Sequence, residues 1–215
     1  MSVNVVAIDG PAGTGKSTVA PLVAEKLGLK YLDTGLMYRS VAYACVQANV
    51  VSGDELKVSG LLLSLSIDVL EDDSVALNGE VLKDELRTPE VSQAVSNISK
   101  NSLVRENLVS KQRAWIEKND GGVLDGRDIG TVVSPDARLK IFLIADVDVR
   151  AQRRQADTDS SLEAIVTDIK RRDDADSNRA LAPLKPADDA VSLDTTHLSI
   201  TEVVDKIVNL YQHAV

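Results

Sequence analysis

The segment AIDGPAGTGKSTVA, Ala7 to Ala20, restricts this chain more than any other. Within it Gly10, Pro11, Ala12, Gly13, Thr14, Gly15, Lys16 and Ser17 match G-x-x-x-x-G-K-[ST] in full, with Thr18 following. The apolar run VNVVAID precedes the match and reads as a buried parallel strand. KSTVAPLVAEKLG follows it and predicts a helix, with Val19, Leu22, Val23 and Leu27 on one face and Gly28 as the stop. In that setting the glycines let the backbone curl until successive N–H groups face phosphate oxygens, and the helix dipole adds its positive end. Lys16 is expected to bridge the β- and γ-phosphates of a nucleoside triphosphate, and Ser17 to ligate Mg2+ directly or through water. The loop therefore predicts a donor nucleotide. It leaves open what receives the phosphate.

Composition narrows the setting. With 215 residues, 44% hydrophobic and 27% charged, the chain has room for one α/β domain carrying an inserted lobe. A net charge of −9 argues against broad nucleic-acid binding, so no nucleic-acid partner is expected. It also means that positive charge for phosphate ligands must be concentrated locally. The one cysteine, Cys45, excludes an intramolecular disulfide framework and lies in SVAYACVQA, where it reads as a buried thiol. No basic start leads into a long apolar run, and nowhere do eighteen apolar residues stand together; a cytoplasmic protein away from membranes is expected. Aromatic residues are only 3%, so Trp115 reads as helix packing, and His197 and His213 read as surface residues.

Along the chain, KYL predicts a second strand, and TGLMYRSVAYACVQA a helix with Thr34 as its N-cap. From about Ser64 the pattern alternates, and Asn78-Gly79 is a hairpin turn signal; antiparallel strands here indicate an insertion into a parallel sheet. TPEVSQAVSNISKN and SLVRENLVSKQRAWIEKN predict two helices, the first with Pro89 at its start. GGVLDGRDIG and LKIFLIAD return to parallel strands. DVDVRAQRRQA and SSLEAIVTDIKRRDDADSNR predict helices joined by a polar turn near Thr158–Ser160, AVSLDTT a last strand, and SITEVVDKIVNLYQHA an amphipathic closing helix. The order predicts an α/β fold with a doubly wound parallel sheet.

Hydrolysis and transfer place different demands on the remaining residues. A small-molecule kinase needs a second anion-binding set, rich in arginine because planar guanidinium pairs with phosphate through two parallel bonds. Arg39 in DTGLMYR, Arg127 in DGRD, and Arg172 and Arg179 in RRDDADSNR qualify. In DGRD the two flanking acids are placed to hold the guanidinium rigid. Arg172, Asp176 and Arg179 are spaced to share one helical face, where one carboxylate between two guanidiniums suits a diol and a phosphate together.

These segments, with YLDTGLMYR, RTPEVSQAVS, DGRDIGTVV, RAQRR and RDDADSNRALAPL, closely resemble the bacterial cytidylate kinases, a family of nucleoside monophosphate kinases, from Val5 to about Val208. The resemblance implies a P-loop kinase with a five-stranded parallel sheet, an inserted monophosphate-binding lobe with a small antiparallel sheet, and a helical lid. On this sequence the core is expected at 1–60, 120–148 and 180–215, the lobe at about 61–119 and the lid at about 149–179. It implies ATP and CMP or dCMP as substrates, Mg2+ as cofactor, and a monomer. Arg39, Arg127 and Arg179 resemble residues that grip the acceptor phosphate; Ser96, Arg105 and Asp128 those that read the cytosine edge; Arg172 and Asp176 those at the sugar hydroxyls. Arg150, Arg153 and Arg154 fall where lid arginines close over the phosphoryl group in transfer. Thr34 and Ala12 stand where the family often has serine, and the stretch between the lid arginines and the next helix is short. The remaining alternatives are a P-loop kinase for another small acceptor and a nucleotide-binding switch protein.

Overall fold

The computed structural model describes residues 3–70, 72–155 and 161–214. The chain divides into two compact units, Met1–Tyr31 with Trp115–Val215, and Leu32–Ala114. The predicted polar turn at Thr158–Ser160 lies outside the described residues.

In the first unit, β1 (Val3–Asp9) runs through the middle of a five-stranded sheet of order β2-β6-β1-β7-β8. The other strands are β2 (Tyr31–Asp33), β6 (Gly122–Gly126), β7 (Ala137–Ile144) and β8 (Val191–Asp194). β1 pairs in parallel with both β6 and β7, Val6 lying opposite Val123 on one side and Leu139 on the other. A strand paired on both edges and covered on its faces cannot alternate, which is why VVAI reads as an unbroken apolar run: Val5, Val6, Ala7 and Ile8 are all fully buried.

Helices α1 (Lys16–Leu27) and α8 (Ile200–His213) form one core with these strands, Val19, Val23, Val203, Val204 and Ile207 packing with Val6, Ile8, Ile141 and Leu143. α1 ends at Gly28 as expected, but Leu22 is exposed; Ala20 and Ala24 complete the buried stripe instead. α8 starts with a reciprocal capping box between Ser199 and Glu202. Trp115 packs edge-on over Gly122, where an added Cβ would lie 2.6 Å from its ring. α6 (Val147–Gln155) and α7 (Leu162–Ser177) share a small core of Ala151, Ile165 and Ile169.

The second unit begins at Leu32, within β2, and its first helix is α2 (Thr34–Gln47), which buries Cys45 completely. Its cap is Asp33, whose carboxylate accepts from the Leu36 N–H; Thr34 is already the first helical residue. A carboxylate serves better there than a threonine hydroxyl, because it also meets the positive end of the helix dipole. α3 (Glu55–Leu62) was not legible as a separate helix, although Asp54 caps it and Val58 and Leu62 are its buried pair. β3 (Ile67–Val69), β4 (Val75–Leu77) and β5 (Glu80–Leu82) make the antiparallel sheet. β4 and β5 are joined by Asn78 at φ 52° and Gly79 at φ 84°, the two positive angles that a two-residue hairpin of this hand requires. α4 (Pro89–Ile98) is capped by Thr88, with Pro89 in its first turn, and α5 (Ser102–Lys118) follows.

Candidate active site

Because β1, β6 and β7 are parallel neighbours, the loops that follow them leave the same edge of the sheet, where folds of this kind bind ligands. The loop after β1 is the Gly10–Ser17 segment. Gly10 sits at φ 151°, and a Cβ there would stand 2.3 Å from the Leu143 carbonyl oxygen, so only glycine lets the loop pass this close to β7. Lys16 is buried, and its Nζ donates to the Gly10 and Pro11 carbonyls at 2.8 Å each. Burial and the nearby Arg127 charge push the Lys16 amine down from 10.5 to about 7, against the opposing pull of Asp125, Asp9 and Asp176. Ser17 and Thr18 are exposed at the first turn of α1.

Asp9, the last residue of β1, escaped the sequence reading as a site residue. Its two carboxylate oxygens accept from the N–H groups of Ile129 at 2.9 Å and Gly130 at 2.8 Å. This clamp ties the end of β1 to the turn after β6 (a π-type turn over Ile129–Val133), which carries Arg127 and Asp128 just before it. Burial raises the Asp9 carboxyl to about 6 in spite of these two bonds. The signal was present: an acid closing an apolar strand needs a buried partner. Asp125 in β6 is likewise buried and accepts from the Tyr31 hydroxyl at 2.7 Å.

Arg127, Arg172 and Arg179 each meet a carboxylate, though not the ones that the spacing indicated. Arg127 Nε donates to Asp176 at 2.9 Å, so α7 supplies the carboxylate, 49 residues away, in place of the two acids flanking it in DGRD. Arg179 lies beyond the end of α7 at Ser177 and is buried, and its Nη2 meets Asp128 at 3.2 Å. Arg172 faces Asp168 at 2.9 Å, one turn earlier. Arg172, Asp176 and Arg179 are therefore not a shared helical face, since the helix stops before the third member. Asp176 and Asp128 instead each secure a different arginine in the segment after β6 and in the segment after α7.

Arg150, Arg153 and Arg154 separate as well. Arg150 is buried and donates to Ala12 O, Asp173 and Ala145 O. Arg153 donates to the hydroxyl and carbonyl oxygens of Thr195 after β8. Arg154 pairs with Asp168, which also accepts from Arg171. Three guanidiniums thus surround the single Asp168 carboxylate. Although burial opposes it, the bond from Arg171 and the charge of Arg172 hold the Asp168 carboxyl below its usual value. Burial and the neighbouring Arg154 lower Arg172 from its usual value.

In the second unit Arg39 donates to Leu86 O at 2.9 Å and to the Ser92 hydroxyl at 3.0 Å. Arg105, buried in α5, donates to Ser99 O, and its guanidinium lies 5.8 Å from the centre of the Tyr38 ring. The Ser99 hydroxyl in turn donates to Ser96 O, so Ser96 and Arg105 belong to one corner between α4 and α5. Thr34 is buried at the start of α2. His197 and His213 are exposed, as expected.

Comparison with known proteins places the chain in a family. The family model for cytidylate kinase matches residues 6–213. A cytidylate kinase of Geobacillus sp. (strain WCH70) is 47% identical over 95% of this chain and 95% of its own length. One from Bacillus cereus is 46% identical over 95% and 94%. Among solved structures, TT1252 from Thermus thermophilus aligns over 99% of both chains with a TM-score of 0.52 and 16% identity, a likeness of fold. A match of that extent to the family model, together with close to half of all residues shared with two full-length relatives, settles the lineage: the chain belongs to the cytidylate kinase family.

Proposed function

We propose that the protein transfers the γ-phosphoryl group of ATP to CMP and dCMP, giving CDP or dCDP and ADP. The observation that carries this reading is the arginine–carboxylate pairing next to the donor loop. Arg127 and Arg179 are each held by a carboxylate, and the charge of Arg127 reaches the buried Lys16 amine. A guanidinium fixed by one acid keeps N–H groups in a set direction for an incoming phosphate, so little ordering remains to be done on binding. A loop that only hydrolyses its nucleotide has no use for such a set.

Lys16 supports the donor side. Among the described residues it bonds only loop carbonyls, and triphosphate oxygens are stronger acceptors for an ammonium group, so ATP would draw it from Gly10 and Pro11 and favour its charged form. Gly10, Pro11, Ala12, Gly13, Thr14, Gly15, Lys16, Ser17 and Thr18 are proposed to hold ATP. For the acceptor we propose Thr34, Arg39, Ser96, Arg105, Arg127, Asp128, Arg172, Asp176 and Arg179. Asp128 suits the exocyclic amine of cytosine, and Arg105 and Ser96 its acceptor atoms. Uracil presents an oxygen where the carboxylate needs a donor. Arg154 is the lid arginine we assign to the moving phosphoryl group, since Arg150 and Arg153 are engaged by main-chain oxygens.

The residues present fit Mg2+. No group of three or more His, Cys, Asp or Glu side chains poised for a metal occurs among the described residues. Mg2+ needs none, because it keeps several waters and binds through phosphates and one or two protein oxygens. The exposed Ser17 hydroxyl would hold it, with Asp125 close to Lys16 as the nearby carboxylate. When bound it neutralises charge on the phosphate oxygens.

The test is release of ADP from ATP in the presence of CMP, dCMP, UMP or AMP. CMP and dCMP are expected to drive it strongly. ADP release that ignores every monophosphate would overturn the reading.

A further inference from the structure

Asp173 lies in the segment RRDDADSNR, where the sequence assigns it no role, yet it reaches the donor loop. Its Oδ1 accepts from the Ala12 N–H at 3.2 Å, and its Oδ2 accepts from Arg150 Nη1 at 2.5 Å. The same Arg150 nitrogen donates to the Ala12 carbonyl at 2.9 Å. Both polar groups of residue 12 are thus held by one ion pair. The loop also packs directly on α6 here: a Cβ on Gly13 would lie 3.1 Å from Arg150 Cβ and 3.2 Å from its carbonyl oxygen. Asp173 and Asp176 are three residues apart on α7 and so face one way. Asp176 holds Arg127. A single turn of helix therefore grips the donor loop at one end and an acceptor-side arginine at the other.

We infer that Asp173 is a positioning residue that couples the two substrates, transmitting the placement of the ATP loop to Arg127 through one turn of α7. The inference rests on the reading that Arg127 and Asp176 serve the acceptor. Asp173 touches neither the phosphoryl group nor the base. It fixes the angle between the loop that presents the donor and the helix that orders the acceptor, and transfer is sensitive to misplacements of an ångström. Ala12 suits the arrangement, because its side chain asks nothing of the loop while its backbone takes both contacts.

The experiment measures the Kd of CMP by calorimetry, alone and with a saturating non-hydrolysable ATP analogue plus Mg2+. It compares the wild type, Asp173→Asn, Asp173→Ala and, as a control with the same loss of charge on exposed surface of the same helix, Asp174→Asn. In the wild type the analogue is expected to tighten CMP about 5-fold or more, within the usual range of coupling between sites. Asp173→Asn keeps an oxygen for the Ala12 N–H but loses the charge opposite Arg150. It should bring that factor near one and lower kcat about 10-fold, with the Kd of CMP alone nearly unchanged. Asp173→Ala should do the same or more, and Asp174→Asn should behave as wild type. A merely structural role would lower the melting temperature and leave the coupling factor alone. Should Asp173→Asn retain the wild-type factor and kcat, the inference falls and the acceptor reading stands. A wild type that binds no CMP overturns both.

Discussion

Replacing Lys16 by methionine should raise the thermal stability of the ligand-free protein while abolishing phosphoryl transfer. The amine is buried, and its pKa falls from 10.5 to about 7, chiefly because burial disfavours the charged form. At about 1.4 kcal/mol per pH decade, that span is an upper bound of about 5 kcal/mol of native-state cost. Methionine keeps most of the apolar stem and removes the charge. Against this stand the two 2.8 Å bonds to Gly10 O and Pro11 O, which lose their donor, and Asp9, which loses a neighbouring cation. Two orphaned carbonyls cost roughly 2–6 kcal/mol together. The net gain is then at most about 3 kcal/mol, or up to roughly 10 °C in Tm for a chain of this size.

The sign against pH is fixed. Between about 7 and 10.5 the unfolded state binds the extra proton, so wild-type stability from this group rises with pH across that window. The advantage of Lys16→Met should be full below pH 7 and fade towards pH 10. Differential scanning calorimetry at pH 6, 7.5 and 9 reads it directly. A Tm for Lys16→Met below wild type at pH 6, or an advantage that grows with pH, would refute the reasoning.

Three further outcomes follow from the geometry. Gly10→Ala should unfold the chain or lower its melting temperature by well over 10 °C, because the new methyl would meet the Leu143 carbonyl at 2.3 Å at a φ of 151°; a wild-type melt contradicts this. Asp128→Asn should erode the preference for CMP over UMP about 10-fold or more, with little change in the KM for ATP, and it should also loosen Arg179. Unchanged CMP/UMP discrimination in steady-state assays removes Asp128 from base reading. Arg127→Ala should lower kcat/KM for every monophosphate alike by about 100-fold, since it removes the charged phosphate contact proposed for this residue, worth about 3 kcal/mol, and frees Asp176; a loss confined to CMP would contradict it.

The parts of this molecule that the sequence made legible are those whose signals are local. The glycine-rich loop between β1 and α1, the apolar parallel strands, the Asn78-Gly79 hairpin and the Pro89 helix start each follow from a few adjacent residues, and all appear as expected. What stayed hidden depends on partners far along the chain. Asp173 reaches Ala12 across 161 positions, and Asp9 reaches Ile129 across 120. Periodicity indicates that an acid near a strand end needs a partner, but not which one. The same limit explains Arg127: its flanking acids were the obvious holders, yet the fold brings α7 to it. Arg179 shows how a boundary misleads, because spacing alone continued the helix past Ser177. α3 was missed since eight residues with only Val58 and Leu62 buried give too short a pattern to separate from a loop.

The most direct test of the account follows the phosphorus atom. With ATP labelled at the γ position, Mg2+ and CMP in excess, a single turnover should place the label on the β-phosphate of CDP and leave inorganic phosphate at background. Label that collects as inorganic phosphate at the same rate with and without CMP would contradict direct transfer between the two nucleotides.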